Sequence, residues 1–393
     1  MERACELALK GFGGTSPNPC VGAVVVKNGK IIGEGWHARA GGDHAEVVAL
    51  KGVDASGCTL FVTLEPCCHH GKTPPCTDLI LKSRIKKVVV GMLDPFAKVS
   101  GKGLEVLRAA GLDVEIYTGE LELRIRDLNQ PFVKINSVGL PYVTLKAGMS
   151  FDGKIANKNR ESKWITDESS RIDARAERLL CDAVLVGFGT VDADDPELSG
   201  VKRVILDKSL KLSLKKKVFR DKNVFVATTD LATEFDRKRF LKAGIEFKSF
   251  GKKDISIASL LRFLGKSGIQ SVFVEGGSGV HGAFYDAFLK NPLLLDKVIF
   301  YMAPKILGGS DSSDNFSKRC QLFSEYKIFL EKAPMINKRA FFPSVSVSFQ
   351  DHKDGGADSV FVFGGHDGEN DMELCEMYSI RENVWRSIQP MNK

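Results

Sequence analysis

Between residues 44 and 76 the chain reads His44-Ala45-Glu46, then Glu65-Pro66-Cys67, then Pro74-Pro75-Cys76. Any fold it adopts has to accommodate what these three pieces do together. One imidazole and two thiolates fill three of zinc's four tetrahedral positions and leave the fourth open, as catalysis requires. A water there loses a proton near neutral pH and becomes a nucleophile. Glu46, two residues from His44, is placed to shuttle protons without binding the metal. His44 and Cys76 both stand where helices are predicted to begin, and the positive end of a helix favours a thiolate at Cys76. Cys68 and His70 are spare donors; Cys67 is preferred because it directly follows Pro66. The competing reading is a structural zinc site or buried free cysteines, and the His-x-Glu upstream weighs against it.

Cysteine usage and charge set the context. Nine cysteines are an odd number, and four of them (Cys58, Cys67, Cys68, Cys76) are crowded together. The N-terminus lacks a signal peptide's layout, so the crowding favours a metal or catalytic site over a disulfide framework and points to a cytoplasmic home. No run approaches the ~18 apolar residues of a membrane span, so no membrane partner is expected. A chain of 393 residues at ~150 residues per domain suggests two or three domains. The net charge of +7 suits an anionic small substrate or cofactor and also permits RNA. Residues 321–393 hold 11 acidic and 8 basic residues, a change of sign that hints at a tail of different origin.

Three segments follow from the patterning. Over residues 1–118, VGAVVVKNG and KIIGEGWHA read as a hairpin around Asn28-Gly29. HAEVVALKG, CTDLILKS and GKGLEVLRAAG read as helices; CTLFVTLEPC, KKVVVGMLDP and LDVEIYTG read as strands, giving an α/β sandwich. Residues 119–139 form a connector with a short helix. Residues 140–320 repeat the style with six β-rich runs (PYVTLKAGMS, CDAVLVGFGT, KRVILD, NVFVATT, IEFKSF, QSVFVEGG), predicting a mainly parallel, doubly wound α/β sheet. Residues 321–393 look all-β, with DSVFVFGG as a strand and MYSIRENVWRSI as a hairpin.

The stretches TSPNPCVGAVVV, HAEVVAL, TLFVTLEPCCHHGKTPPCTDLI and VVVGMLDP resemble the bifunctional riboflavin-biosynthesis deaminase/reductase family. For zinc deaminases of bases the second half-motif is P-C-x-x-C; here eight residues separate Cys67 from Cys76, as in the family's own version. The resemblance implies a cytidine-deaminase-like α/β/α domain that deaminates a diaminopyrimidinone ribosylamine 5′-phosphate. It makes His44, Cys67 and Cys76 the zinc ligands and Glu46 the catalytic proton shuttle, and puts Asn18, His37, His69 and Lys72 around the substrate. Lys72 makes sense independently, because a ribose phosphate needs a cation.

LKAGMSFDGKIA, ESKWIT, DAVLVGFGTVDADDPELS and VEGGSGVHGAF are similar to the reductase half of the same family, which implies a dihydrofolate-reductase-like domain. Glu275-Gly276-Gly277-Ser278-Gly279 follows a buried strand and precedes a helix, a setting in which backbone N–H groups hold a phosphate. The resemblance implies NADPH contacts at Gly148, Trp164, Thr190, Asp194, Gly277, Ser278 and Gly279, and substrate contacts at Ser162, Arg178, Leu198 and Glu275. The family usually has an arginine after DDPELS; here Lys202 or Arg203 would have to substitute. The likeness fades after YMAPKILGG, and the strands that finish the family's sheet are not found.

In their place the tail resembles one kelch repeat: Gly364-Gly365 end a strand, and Tyr378 and Trp385 sit on alternating residues. One blade cannot close a propeller, so the tail reads as a fragment of a larger array, able to contact a protein partner. The reading is therefore a zinc- and NADPH-dependent bifunctional enzyme acting on a small phosphorylated pyrimidine, homo-oligomeric, with no nucleic-acid partner. A zinc deaminase of a nucleic-acid base or free nucleotide, and a kelch-type interaction protein, are the alternatives.

Overall fold

The computed structural model describes residues 1–69, 74–96, 100–150, 153–156 and 165–303, together with four backbone strands in the tail. Contacts divide the chain into two units. The first takes in Met1–Tyr142, Leu179–Asp182 and Leu261–Ser271, and the second takes in Val143–Arg178, Ala183–Leu260 and Val272–Lys393.

The first unit runs α1 (Glu2–Leu9), β1 (Gly22–Lys27), β2 (Lys30–Trp36), α2 (Ala45–Leu50), β3 (Thr59–Val62), α3 (Cys76–Lys82), β4 (Lys87–Val90), α4 (Lys102–Ala109) and β5 (Asp113–Ile116). Its sheet has the order β2-β1-β3-β4-β5. The β1–β2 hairpin turns at Asn28 and Gly29, both at positive φ, as the turn pair in the sequence predicts. β1 alternates between two faces. Ala23 and Val25 join Leu60, Val62, Val88 and Val90 against Ala45 and Ala49 of α2, Ile80 of α3 and Leu104 and Leu107 of α4. Val24 turns the other way onto Ala4 and Leu7 of α1. Helices thus cover both faces, the expected α/β/α sandwich. Gly35 of β2 is needed for this packing: a Cβ there would lie 2.3 Å from the Ala45 carbonyl, so the missing side chain lets α2 and its catalytic-type residues sit on the sheet.

Two elements were not read from the sequence in this form. α1 occupies the N-terminal stretch considered above only as a possible leader. The connector over 119–139 forms two helices, α5 (Glu122–Asp127) and α6 (Gln130–Val138), inside the first unit. Ile125 and Leu128 pack on Cys5 and Ala8 of α1.

The second unit contains β6 (Tyr142–Ser150), α7 (Glu168–Leu179), β7 (Ala183–Gly187), α8 (Phe188–Asp194), β8 (Lys202–Leu206), β9 (Val224–Thr228), α9 (Glu234–Lys242), β10 (Glu246–Ser249), the start of α10 (Ile257–Lys266), β11 (Ser271–Glu275), α11 (Ser278–Lys290) and β12 (Lys297–Ala303); Tyr142, Leu179, Ser271 and most of α10 belong to the first. All six predicted strands form. β12 is a seventh, paired parallel to β6 at the sheet edge, and only Ala303 of its seven residues is fully buried. Its sequence, KVIFYMA, is a β-rich apolar run of the same kind as the other six, so this strand too is legible in the sequence although it is not among those counted above. The order is β10-β9-β8-β7-β11-β6-β12. From β7 the chain winds outward through β8, β9 and β10, then returns to the other side of β7 as β11, so the order of winding reverses between these two parallel strands. Ligands of such sheets bind beyond the carboxyl ends of the strands at that reversal. Among the described residues no helix is long and apolar enough to cross a membrane.

In the tail, β13 (Ser344–Gln350), β14 (Ala357–Phe363), β15 (Cys375–Ser379) and β16 (Val384–Ile388) make a four-stranded antiparallel meander. The predicted strand at DSVFVF and the hairpin after it are both present, with Tyr378 and Trp385 opposite each other in register. Gly364 and Gly365 lie outside the described residues.

Candidate active sites

The first site forms where α2 and α3 begin. His44 is the residue that caps α2, in extended conformation, and Cys76 opens α3 behind Pro75. Proline before a helix start fixes the chain direction without wasting a donor. The His44 Nδ1 atom lies 3.2 Å from the Cys76 Sγ and 3.6 Å from the Cys67 Sγ. These ligand atoms all fall within 4.8 Å of one another. The Cys76 backbone N–H also donates to the Cys67 Sγ at 3.3 Å. That network draws the Cys67 thiol down to about 4, first through the Cys76 thiol and then, against burial, through His44. Cys76, which shares its proton with Cys67 and is itself buried, is pushed up. Two sulfurs and one imidazole nitrogen converging on one point are a donor set that fits zinc and leaves one tetrahedral position for a ligand.

Glu46 follows one residue into α2 and is only 3% exposed. Burial pushes its carboxyl above the usual range, and its neighbours include the Cys67, Cys76 and His44 side chains. A carboxyl raised in this way takes up a proton near neutral pH more readily than an exposed one.

Asn18 and His37 meet beside this centre. The Asn18 amide donates to the His37 Nε2 atom across 3.0 Å, while the His37 Nδ1 donates to the Asp43 carbonyl across 2.9 Å. The His37 ring sits edge-on to His44, 5.6 Å between centroids, and burial holds it below the usual histidine range, hence neutral. His69 is exposed and lies close enough to Asp94 to act on its charge. Lys72 lies outside the described residues.

Sequence reasoning missed three residues here. Glu65 is a buried clamp: its carboxylate accepts the backbone N–H groups of Asp94 (3.1 Å), Gly101 (2.8 Å) and Gly103 (2.8 Å), tying the turn before Cys67 to the loop after β4. Asp94, within GMLDP, is raised to about 6 by burial. Asn129 pairs both ends of its amide with the Cys20 backbone, accepting from its N–H at 2.7 Å and donating to its carbonyl at 2.9 Å. Glu65 had a signal, the EPC motif; the other two lie in stretches read only as a strand end and a connector.

The second site lies at the reversal of the larger sheet. A Cβ on Gly187, the last residue of β7, would sit 2.6 Å from Val280, so this glycine admits the start of α11 against the start of α8, which carries Thr190. Gly277 precedes the first turn of α11 in extended conformation, and Gly277 and Gly279 both face open space, where a side chain would meet nothing. Gly276 is different: a Cβ there would strike Val280 at 2.4 Å. Open backbone at the head of a 13-residue helix fits the phosphate of a nucleotide cofactor.

Beside the loop, Arg178 donates to the Glu275 carboxylate at 3.2 Å, both side chains being mostly buried. Lys146 of β6 joins them. Burial pulls its ammonium below the usual lysine range, with Glu275 opposing and Arg178 assisting, and its Nζ lies 5.7 Å from the centre of the Tyr301 ring. The Tyr301 hydroxyl donates to Asp173 of α7 at 2.5 Å. His281, 1% exposed, accepts from the Gly276 N–H at 3.4 Å and hydrogen-bonds the Lys146 backbone. Lys146, Tyr301 and His281 were not singled out in the sequence, because their importance comes from neighbours distant in the chain.

The remaining expected residues are placed less uniformly. Gly148 lies on β6 facing Thr166, and Asp194 ends α8 with its side chain exposed. Leu198 is buried in the core with Val191 and Val201. Ser162 and Trp164 lie outside the described residues. Arg203 does not replace the family's missing arginine: its side chain is buried, donates to Asp221 and bonds the Glu197 carbonyl at 3.4 Å, so it holds β8 in place.

Comparison with known proteins matches residues 1–92 to the zinc-binding region of cytidine and deoxycytidylate deaminases and residues 141–322 to the RibD C-terminal domain. Residues 357–392 match the kelch motif. The riboflavin biosynthesis protein RibD of Bacillus amyloliquefaciens is 44% identical over 324 residues, covering 79% of this chain and 85% of that protein. That of Aquifex aeolicus is 42% identical over 321 residues, covering 78% and 87%. A solved diaminohydroxyphosphoribosylaminopyrimidine deaminase/5-amino-6-(5-phosphoribosylamino)uracil reductase of Thermotoga maritima superposes with a TM-score of 0.70 at 40% identity, covering 89% of this chain and 95% of that one. Acinetobacter baumannii RibD superposes equally well at 39% identity, covering 79% and 87%.

Proposed function

This chain belongs to the RibD family of riboflavin-biosynthesis deaminase/reductases, and from that premise we propose which of its residues carry each reaction. It is a bifunctional enzyme using zinc and NADPH, and its substrate is a small phosphorylated pyrimidine. The finer reading is deamination of 2,5-diamino-6-ribosylamino-4(3H)-pyrimidinone 5′-phosphate, followed by reduction of the ribosyl chain to ribityl. Residues 1–118 are the deaminase and 119–139 the connector. Residues 140–320 are the reductase and 321–393 a kelch-like β segment able to contact a protein. A cytoplasmic homo-oligomer without nucleic-acid partners completes this reading.

The observation that carries the first half is the convergence of His44, Cys67 and Cys76 beside buried Glu46. His44, Cys67 and Cys76 would hold the zinc, whose charge makes a hydroxide nucleophile available at neutral pH. Glu46 takes the proton from water and returns it to the leaving amine, so ammonia departs neutral. Asn18 and neutral His37 orient the pyrimidine edge, while His69 and Lys72 serve the phosphate end.

In the second half, Gly277, Ser278 and Gly279 hold the cofactor phosphates at the α11 N-terminus, with Gly148, Trp164, Thr190 and Asp194 along the rest. Ser162, Arg178, the Leu198 backbone and Glu275 bind substrate. Opening the ribose ring and reducing C1 consumes one hydride and one proton, and the Lys146 ammonium beside Glu275 supplies the proton to the ring oxygen. The test follows ammonia release and NADPH oxidation on the pyrimidine ribosylamine phosphate, with single-stranded RNA as comparator. Turnover of RNA and not of the pyrimidine would overturn the reading.

A further inference from the structure

The loop Thr15–Cys20 carries Asn18 toward the zinc centre; the Asn18 N–H closes its turn on the Thr15 carbonyl at 2.7 Å, while Ser16 and Pro17 at its tip are exposed. Two residues far along the chain anchor this turn to the rest of the unit. On one side Asn129 takes both backbone groups of Cys20. On the other, the Gln270 side-chain amide donates to the Pro17 carbonyl at 2.8 Å. Gln270 is 8% exposed. Its segment, Leu261–Ser271, belongs to the first unit although it lies inside the stretch that matches the RibD C-terminal domain.

The Gln270 backbone is itself held from both directions. Its N–H donates to the Asp182 carboxylate at 2.7 Å, and its carbonyl accepts the Tyr142 N–H at 2.7 Å. Asp182 also accepts the Ser271 N–H at 3.1 Å and gives its own N–H to the Ser271 hydroxyl at 2.9 Å. Leu180 of the neighbouring segment packs close to Gly13, just before this loop. A side chain whose backbone is pinned this firmly holds its amide at one point, so the bond to Pro17 transmits position and not merely contact.

We propose that Gln270 is a positioning residue of the deaminase reaction, acting through the Pro17 carbonyl to hold Asn18 at the substrate. The proposal rests on the assignment of Asn18 to the pyrimidine made above. It means that the deaminase loop is completed by sequence belonging to the reductase half of the family. The partner of the Asn18 amide, His37, is anchored independently through Asp43. Loss of the Gln270 bond should therefore loosen Asn18 without disturbing the metal centre.

The test uses the full chain loaded with zinc. Gln270→Leu keeps the size and removes the donor, whereas Gln270→Lys keeps an N–H donor on a chain long enough to reach Pro17. Loss of one positioning hydrogen bond should raise the deaminase KM by about three- to tenfold with kcat nearly constant. Zinc content should stay at the wild-type level, and Gln270→Lys should restore most of the KM. Asn18→Ala, measured alongside, separates the two layers. If Asn18→Ala leaves KM unmoved, the substrate assignment fails. If Asn18→Ala raises KM while folded Gln270→Leu does not, the substrate assignment stands and Gln270 is overturned. A lowered melting temperature with an unchanged KM marks Gln270 as structural and also overturns the proposal. Should Gln270→Leu not fold, the donor-free Gln270→Glu provides the same comparison.

Discussion

The two active sites are built on opposite plans. The candidate zinc site draws His44, Glu46, Cys67 and Cys76 from residues 44–76, with His44 and Cys76 at the mouths of two short helices. The reductase site draws Lys146, Arg178, Glu275 and Tyr301 from three strands and a helix spread over more than half the second unit. A metal centre needs donors of fixed type, so its residues announce themselves. A hydride-transfer site needs only backbone room for phosphates and a few charges held in place, and any lysine or arginine can be written there without looking special.

The sharpest difference should therefore appear when one group is removed from each. Glu46→Gln should lower deaminase kcat on the order of a thousandfold while leaving zinc near one per chain, because the role proposed for Glu46 is to move protons and not to bind the metal. Cys76→Ser should lose the metal and destabilise the domain, since metal binding energy couples to folding. Ammonia release together with zinc analysis checks both, and near-normal deamination in Glu46→Gln would remove it from the mechanism. NADPH oxidation on the deaminated substrate should be unaffected by Glu46→Gln.

On the other side, Arg178→Met leaves Glu275 mostly buried with Lys146 as its remaining cation. Truncating one member of such a pair costs on the order of a hundredfold in kcat/KM. The loss should fall on NADPH-dependent reduction alone. An equal loss of deamination would mean that the variant damages the whole chain and that the division of labour between the regions is wrong.

How much of this was legible follows the same line. The six strands and the sandwich were readable because β-rich runs and helix-period stretches alternate with turn residues. The meeting of His44, Cys67 and Cys76 is legible from donor chemistry, and the helix start after Gly277 from its place between strand and helix. Glu65 was visible but mute: a glutamate beside a zinc ligand gives no hint that it accepts three backbone N–H groups from another loop. Arg203 misled, because charge suggests a ligand and only burial shows the ion pair with Asp221. Lys146, His281 and Gln270 are ordinary residues whose roles are set by what lies across the fold.

A finer comparison lies within the glycine loop. Gly276 is required by packing on Val280, whereas Gly277 faces open space. Gly277→Val should leave the melting temperature within about a degree and weaken NADPH binding about tenfold, by placing side-chain bulk where the phosphates lie. Gly276→Val should lower the melting temperature by several degrees, because the added bulk overpacks the start of α11. Titration of NADPH against both variants, with thermal melts, distinguishes the two glycines. Unchanged cofactor affinity in Gly277→Val would move the cofactor elsewhere.

The last effect shows only in acid and separates the regions by pH. His281 is held at about 4 in the folded protein, chiefly by burial and then by the nearby Lys146 charge, against ~6.5 in an unfolded chain. Between those values the unfolded chain binds more protons than the native one, so the free energy of unfolding rises with pH across that window. The contribution is complete above about pH 6.5 and is lost as pH falls toward 4, a change on the order of 3 kcal/mol if His281 acts alone. Protonation would also put a proton on the Nε2 atom that accepts from Gly276, breaking the link to the glycine loop. His281→Gln cannot charge and keeps an acceptor, so its melting temperature should fall less than the wild type's between pH 6.5 and 4.5. NADPH affinity in that range should follow the same difference, since Gly276 precedes the proposed phosphate loop. Parallel pH profiles in wild type and variant would show that His281 titrates alike in the folded and unfolded chain, and would overturn this account.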